Sequence, residues 1–214
     1  MAQAPALDDA TLCLVDFAAA IATGHDGLLR RSAERAVAQD VPAVWIDELV
    51  LQSVLMVGWP RALMAMGVWR SVAGDDAPDH DADADYDAAA AWYTRGQETC
   101  RVVYGENYEK LRANVRRLHP ALDAWMITEG YGRTLSRPGL DLVRRELCTV
   151  VQTAVLDTPH QLHSHLRGAL NAGATIAQVD AALRSVEPLM TREQSVKAET
   201  LWQAVRKRAT GDAD

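Results

Sequence analysis

Two stretches of this chain, DELVLQSVLMVGWPRAL from Asp47 and RELCTVVQTAVLDTPHQL from Arg145, follow one plan. Each places an acid before a Leu, then an apolar run, a turn, and a Pro (Pro60 or Pro159) followed by a basic residue, one further residue and a Leu. The apolar positions recur at three and four, the period of an amphipathic helix. Pro at the first turn of the next helix is favourable because its missing N–H had no partner there. Both stretches therefore read as helix-turn-helix units. Glu48 to Pro60 spans 12 positions and Glu146 to Pro159 spans 13. The likeness is open to two readings, a duplication or the chance similarity of two alanine-rich hairpins. If the prolines are aligned, Met66 falls opposite His165 and Arg61 opposite His160, so only the second half carries a polar constellation.

The same period runs through the rest of the chain, where Ala, Leu, Arg, Glu and Met dominate, and an all-α fold follows. The spacing predicts helices near 9–23, 27–38, 42–57 and 60–72, and, beyond an acidic stretch, near 86–103, 107–117, 120–129, 140–156, 159–172, 176–185 and 192–207. Gly24, Gly58, Gly74, Gly105, Gly130, Gly132 and Gly173 suit left-handed helix exits, and Thr175 and Thr191 suit N-caps. The expected organisation is an N-terminal helical half (1–74), an Asp-rich linker (75–87) and a C-terminal half (88–214).

The net charge of -7 is concentrated in DDAPDHDADADYD, where seven aspartates fall between Asp75 and Asp87. The remaining acidic residues number 22, equal to the 22 Lys and Arg. Nucleic acid is therefore not an expected partner, and steering of any polyanion needs a local basic patch. Asp81, Asp83 and Asp85 alternate as in a calcium loop, but the sixth and twelfth positions are Tyr86 and Trp92, where such a loop needs Gly and an acid. The run reads instead as a solvated linker. Cys13, Cys100 and Cys148 are too few and scattered for a disulfide framework and are expected to stay reduced. No uninterrupted apolar run reaches the length of a membrane span, and MAQAPALDDATLC lacks the basic start and apolar core of a signal peptide. A cytoplasmic protein without membrane partners is expected.

Glu146 shares its helical stripe with Leu142 and Val150, so its carboxylate is expected to be buried. Burial is costly without hydrogen bonds and is one way to tune a general acid or base; a salt bridge to Arg144 or Arg145 is the structural alternative. His165 falls on one face with Thr158, Gln161, Leu162 and Ala169, and so points toward the Glu146 helix. His160 and His163 project from the other side, with His163 expected at the surface or a subunit contact. His163 and His165 are two apart, which sends them in different directions on a helix, and no H-E-x-x-H motif is present. No metal and no cofactor is expected. Cys148 is turned about 200° from Glu146 and reads as a core residue.

The motifs RRELCTVVQTAVL, HQLHSHLRGALNAGAT and KLRANVRRLHPALDAWMITEGYGRTLSRPGLDL resemble the carboxymuconolactone decarboxylase family, within the alkylhydroperoxidase D-like superfamily. The resemblance covers residues 104–187 and, more weakly, 42–72. It implies an all-α fold whose subunits assemble as homo-oligomeric rings, trimers or hexamers. In the peroxidase branch a Glu is followed, after eleven residues, by Cys-x-His-Cys and, after three more, by His; here those positions are Thr158, His160, Gln161 and His165. The carboxylate and both histidines are retained and both thiols are absent. Only a thiolate attacks peroxide and is recycled through a disulfide, so chemistry using that Cys pair is excluded.

The resemblance then implies a lyase or isomerase acting by acid/base chemistry on a small carboxylated or lactone substrate. Glu146, His165 and His160 are the candidate catalytic residues; Thr158, Gln161, Arg61 and Arg145, with Arg144, are candidates for holding the substrate. Two alternatives remain open, a non-catalytic oligomeric member of the family whose six tryptophans anchor subunit contacts, and a thiol peroxidase using Cys148 or Cys100.

Overall fold

The computed structural model describes residues 6–74 and 77–211; Met1–Pro5 of the N-terminal reading, and Asp75 and Asp76 of the acidic run, lie outside them. Among the described residues the chain is helical with no strand. Ten α-helices follow one another: α1 (Asp9–Thr23), α2 (Asp26–Ala38), α3 (Ala43–Ala73), α4 (Ala89–Tyr104), α5 (Tyr108–Leu118), α6 (Pro120–Trp125), α7 (Leu142–Val155), α8 (Pro159–Asn171), α9 (Ile176–Val186) and α10 (Arg192–Thr210).

Helix α1 is apolar all round and is buried accordingly, with Leu14, Val15, Phe17 and Ala18 fully enclosed. It packs on α2, α3, α7 and α9, and these helices with α8 and α10 share the main core. A second, smaller core of Cys100, Val103, Tyr108, Ile127, Tyr131 and Leu135 joins α4 and α5 to the segment after α6. The predicted caps form: Thr175 and Thr191 accept hydrogen bonds from the backbone N–H of Gln178 and Gln194, whose side chains reach back in two capping boxes.

The helices expected at 42–57 and 60–72 are both present as the two arms of α3, which breaks at Gly58 (φ 72°, ψ 173°) just before Pro60; two other elements differ from the sequence expectation. Among the described helices α3 alone is long and apolar enough to cross a membrane by length and composition. The break at Gly58 divides it into two arms, each shorter than the roughly 20 residues of a span, and they form the counterpart of the α7–α8 hairpin. Gly130 and Gly132 do not end a helix; α6 widens into a π-helix, Met126–Leu135, which carries both glycines. A Cβ on Gly132 would lie 1.9 Å from the Trp92 carbonyl oxygen and one on Gly96 2.0 Å from that of Ile127, so the two glycines let α4 and the π-helix touch along their backbones.

The acidic run is not simply a solvated linker. It folds into short 3-10 turns at Ala82–Ala84 and Tyr86–Ala88. Arg137 donates to both oxygens of Asp81, at 3.0 and 2.5 Å, and Asp83 accepts from Trp92 Nε1 and Arg95 Nη2, both at 2.7 Å. The arginines that satisfy these aspartates come from distant sequence, which a local charge count does not reveal.

Candidate functional site

Helices α7 and α8 form an antiparallel hairpin, and α4 with the π-helix lies against it. Asp141 caps α7 by accepting from the Arg144 N–H at 3.0 Å, which sets the register that turns Glu146 inward. Glu146 is fully buried and His165 is 7% exposed, and His165 Nδ1 lies 2.9 Å from Glu146 Oε2. When the carboxylate is ionised, Nδ1 donates to it and Nε2 is left with a lone pair as proton acceptor. The second carboxylate oxygen, Oε1, is sealed from water and has no hydrogen-bond partner. Leaving a buried polar atom unpaired costs about 1–3 kcal/mol, so stability alone does not favour this arrangement.

Close packing fixes the pair. A Cβ on Gly168 would come within 2.5 Å of Glu146 Oε2 and 2.7 Å of Val103 Cγ1, so α8 can approach the carboxylate only with glycine there. Two phenols complete the surroundings. The Tyr104 and Tyr131 rings meet edge to face with centroids 6.2 Å apart. Burial pushes both phenols above their ordinary range, and the charge of Glu146 adds to this, so both stay protonated as donors.

Tyr104 also faces a cavity of about 500 Å³ between α5 and α8. Along α8 its wall is the stripe His160, Ser164, Arg167 and Asn171; Asn107 and Lys110 lie opposite. Neither Glu146 nor His165 lines this cavity, whereas Tyr104 and Ser164 do.

The other candidates of the sequence fall elsewhere. Thr158 is half-buried and donates to the Thr153 carbonyl at 3.2 Å. Gln161 is exposed, because it sits one turn, about 6 Å, nearer the hairpin bend than His165. His160 and His163 both line the cavity, so His163 is not confined to the outer surface. Arg61 donates to the Ala22 carbonyl at 2.5 Å and closes the end of α1. Arg144 is held by Asp141 and Asp8 and stacks 4.1 Å over Trp45. Arg145 is fully buried and pairs with Glu48 at 2.7 Å, while Arg137 grips both oxygens of that same carboxylate at 2.9 Å. None of these three candidate arginines, Arg61, Arg144 and Arg145, is brought to the Glu146–His165 pair.

Cys100 and Cys148 are fully buried. Burial raises both thiols, Cys100 to about 12, and the nearby Glu146 charge adds to the rise at Cys100. Neither is set up as a thiolate. Among the described residues no group of three or more His, Cys, Asp or Glu side chains is placed to hold a metal ion. Sequence reasoning missed Tyr104, Tyr131 and the glycine at 168; of these only Gly168, three residues after His165, left a trace, as a small residue on the inward face.

An all-α fold with a buried carboxylate–imidazole pair between two helices of a hairpin defines the class of protein, the alkylhydroperoxidase D-like helical fold. The family model described as the carboxymuconolactone decarboxylase family matches residues 1–71 and 120–202, and the chain belongs to that family. No curated protein matches it. Residues 72–119, which include α4 and α5, lie outside the family match.

Proposed function

We propose that this protein is a carboxymuconolactone decarboxylase-like lyase or isomerase acting by acid/base chemistry on a small carboxylated or lactone substrate. The observation that carries this reading is the buried Glu146–His165 pair, with one carboxylate oxygen on the imidazole and the other unpartnered. Glu146 orients the ring, fixes its tautomer and stabilises the imidazolium; His165 Nε2 is the group that moves the proton. In a decarboxylation the bond to the carboxylate carbon breaks, carbon dioxide leaves, and the electron pair stays on the substrate as an enolate. His165, having taken a proton from solvent at Nε2 to form the imidazolium, then delivers that proton to carbon and returns to the neutral ring protonated at Nδ1. The protonated phenols Tyr104 and Tyr131 suit the stabilisation of that developing negative charge.

The test is turnover on small carboxylated lactones. Glu146→Gln and His165→Gln are each expected to lower kcat by about 10²–10⁴-fold, the usual size of an acid/base contribution, while circular dichroism stays that of the wild type. Unchanged turnover in both variants overturns the reading.

One observation favours a second reading, that the pair is structural in a non-catalytic member of the family: neither Glu146 nor His165 lines the neighbouring cavity. On that reading the same substitutions lower the melting temperature, and the wild type turns over none of the lactones. We propose in addition that subunits associate through Trp59, Leu63 and Trp125, which are 64%, 64% and 63% exposed. Trp69, Trp92 and Trp202 do not serve this purpose, because they are core residues whose indole N–H groups donate to Asp47, Asp83 and Asp180.

A further inference from the structure

The arginines on which a substrate anchor could first be sought, Arg61, Arg144 and Arg145, are all committed to internal partners. Cations without such partners gather instead around the cavity between α5 and α8. Arg167 and Lys110 line it, and both continue into an adjoining compartment of about 530 Å³ that also exposes Arg208 and one acid, Glu106. Among the described residues no carboxylate lies within ion-pair distance of Arg167, Lys110 or Arg208. Arg167 is only half exposed, so it is held at the wall without an anionic partner.

Asn107 lines both compartments, with its Nδ2 sealed from water beneath the wall and without an acceptor. His163, on the same wall, is held below its ordinary range first by burial and then by the charges of the same cations, Arg167 and Arg208, and of His160.

We infer that this cleft is an oxyanion-binding site in which Arg167 and Lys110 hold the carboxylate or phosphate group of a small ligand. Arg167 supplies the planar fork that meets two oxygens at once, and Lys110 adds a point charge. Ser164 lies three residues before Arg167 on α8, about 4.5 Å along the axis. A ligand held by its anionic group therefore extends to Ser164 and Tyr104, a few bonds away, and there meets the phenol that adjoins the Glu146 site. Lys110, Asn107 and Tyr104 belong to residues 72–119, outside the family match, so this wall gives the chain a selectivity of its own. The inference deepens the proposed acid/base function by naming what holds its substrate, yet binding at this cleft does not depend on that chemistry.

Isothermal titration with succinate and with inorganic phosphate, in separate experiments, tests it on the full chain. The wild type is expected to bind at least one of them with a Kd in the millimolar range or tighter, weakening as salt is raised; the one that binds tells a carboxylate site from a phosphate site. Arg167→Gln is expected to weaken binding at least tenfold and Lys110→Gln several-fold, with circular dichroism and melting temperature close to wild type. Glu146→Gln is expected to bind as the wild type does. The inference is overturned if neither anion binds, or if Arg167→Gln binds as tightly as the wild type. Retained anion binding with turnover indifferent to Glu146→Gln would defeat the acid/base reading alone.

Discussion

At the scale of single residues, the pair at 146 and 165 was legible because it depends on spacing within one hairpin. The stripe that turns Glu146 inward and the face that carries His165 are both set by the helical period. Tyr104, Tyr131 and Cys100 were not legible, since they reach the carboxylate only through tertiary packing of α4 and the π-helix, 15 to 46 positions away in sequence. Thr158 and Gln161, aligned with the motif, lie at the first turn of α8, Thr158 on the Thr153 carbonyl and Gln161 exposed. The contact of Gly168 with the carboxylate gives a sharp expectation. Gly168→Ala sets a methyl group 2.5 Å from Glu146 Oε2, so the carboxylate must leave His165 Nδ1. Turnover should fall at least tenfold, and the imidazole nitrogen signals in NMR spectra should move from those of the wild type; unchanged signals would show that the 2.9 Å contact is not maintained in solution.

At the scale of elements, helix positions and caps followed from periodicity and from Thr175 and Thr191, whereas the π-helix and the acidic segment did not. Gly130 and Gly132 are local breakers by type, but backbone contact with α4 decides the role of Gly132. Gly132→Ala is expected to cost at least about 3 kcal/mol, or about 6–12 °C in melting temperature, because the new Cβ meets a carbonyl and not a flexible side chain. A loss below about 1 °C would show that the two helices separate easily. Asp123 and Asp81 are held below the usual carboxylate range, chiefly by hydrogen bonds from Arg112 and Arg137 respectively. Because the folded-state values are the lower ones, this stabilisation is complete above the unfolded value of about 3.9 and is lost as pH falls through the folded values. The melting temperature should therefore drop as pH is taken below about 4. Asp123→Asn should melt lower at about pH 7 and show a shallower fall in acid; an equally steep fall would assign the acid sensitivity to other carboxylates.

At the scale of the whole molecule, two helical hairpins of one plan carry different polar centres. Glu48 of α3 is consumed by Arg145 and Arg137, which tie the first half to the second and, through Asp81, to the acidic segment. Glu146 of α7 is left to His165. The duplicated pattern was visible in sequence; the division of labour was not, because Arg137 and Arg145 act across the halves. With Trp59 and Leu63 each 64% exposed, sedimentation should show a trimer or hexamer, and Trp59→Asp with Leu63→Asp should release monomers. A monomeric wild type would contradict that expectation. The proposal that the buried Glu146–His165 pair works as an acid/base dyad is tested by turnover of small carboxylated lactones by the wild type, Glu146→Gln and His165→Gln. Carbon dioxide release or isomerisation is expected from the wild type, with a loss of at least about 100-fold in each folded variant. Equal turnover in all three, or none in the wild type across the lactones tried, would contradict it.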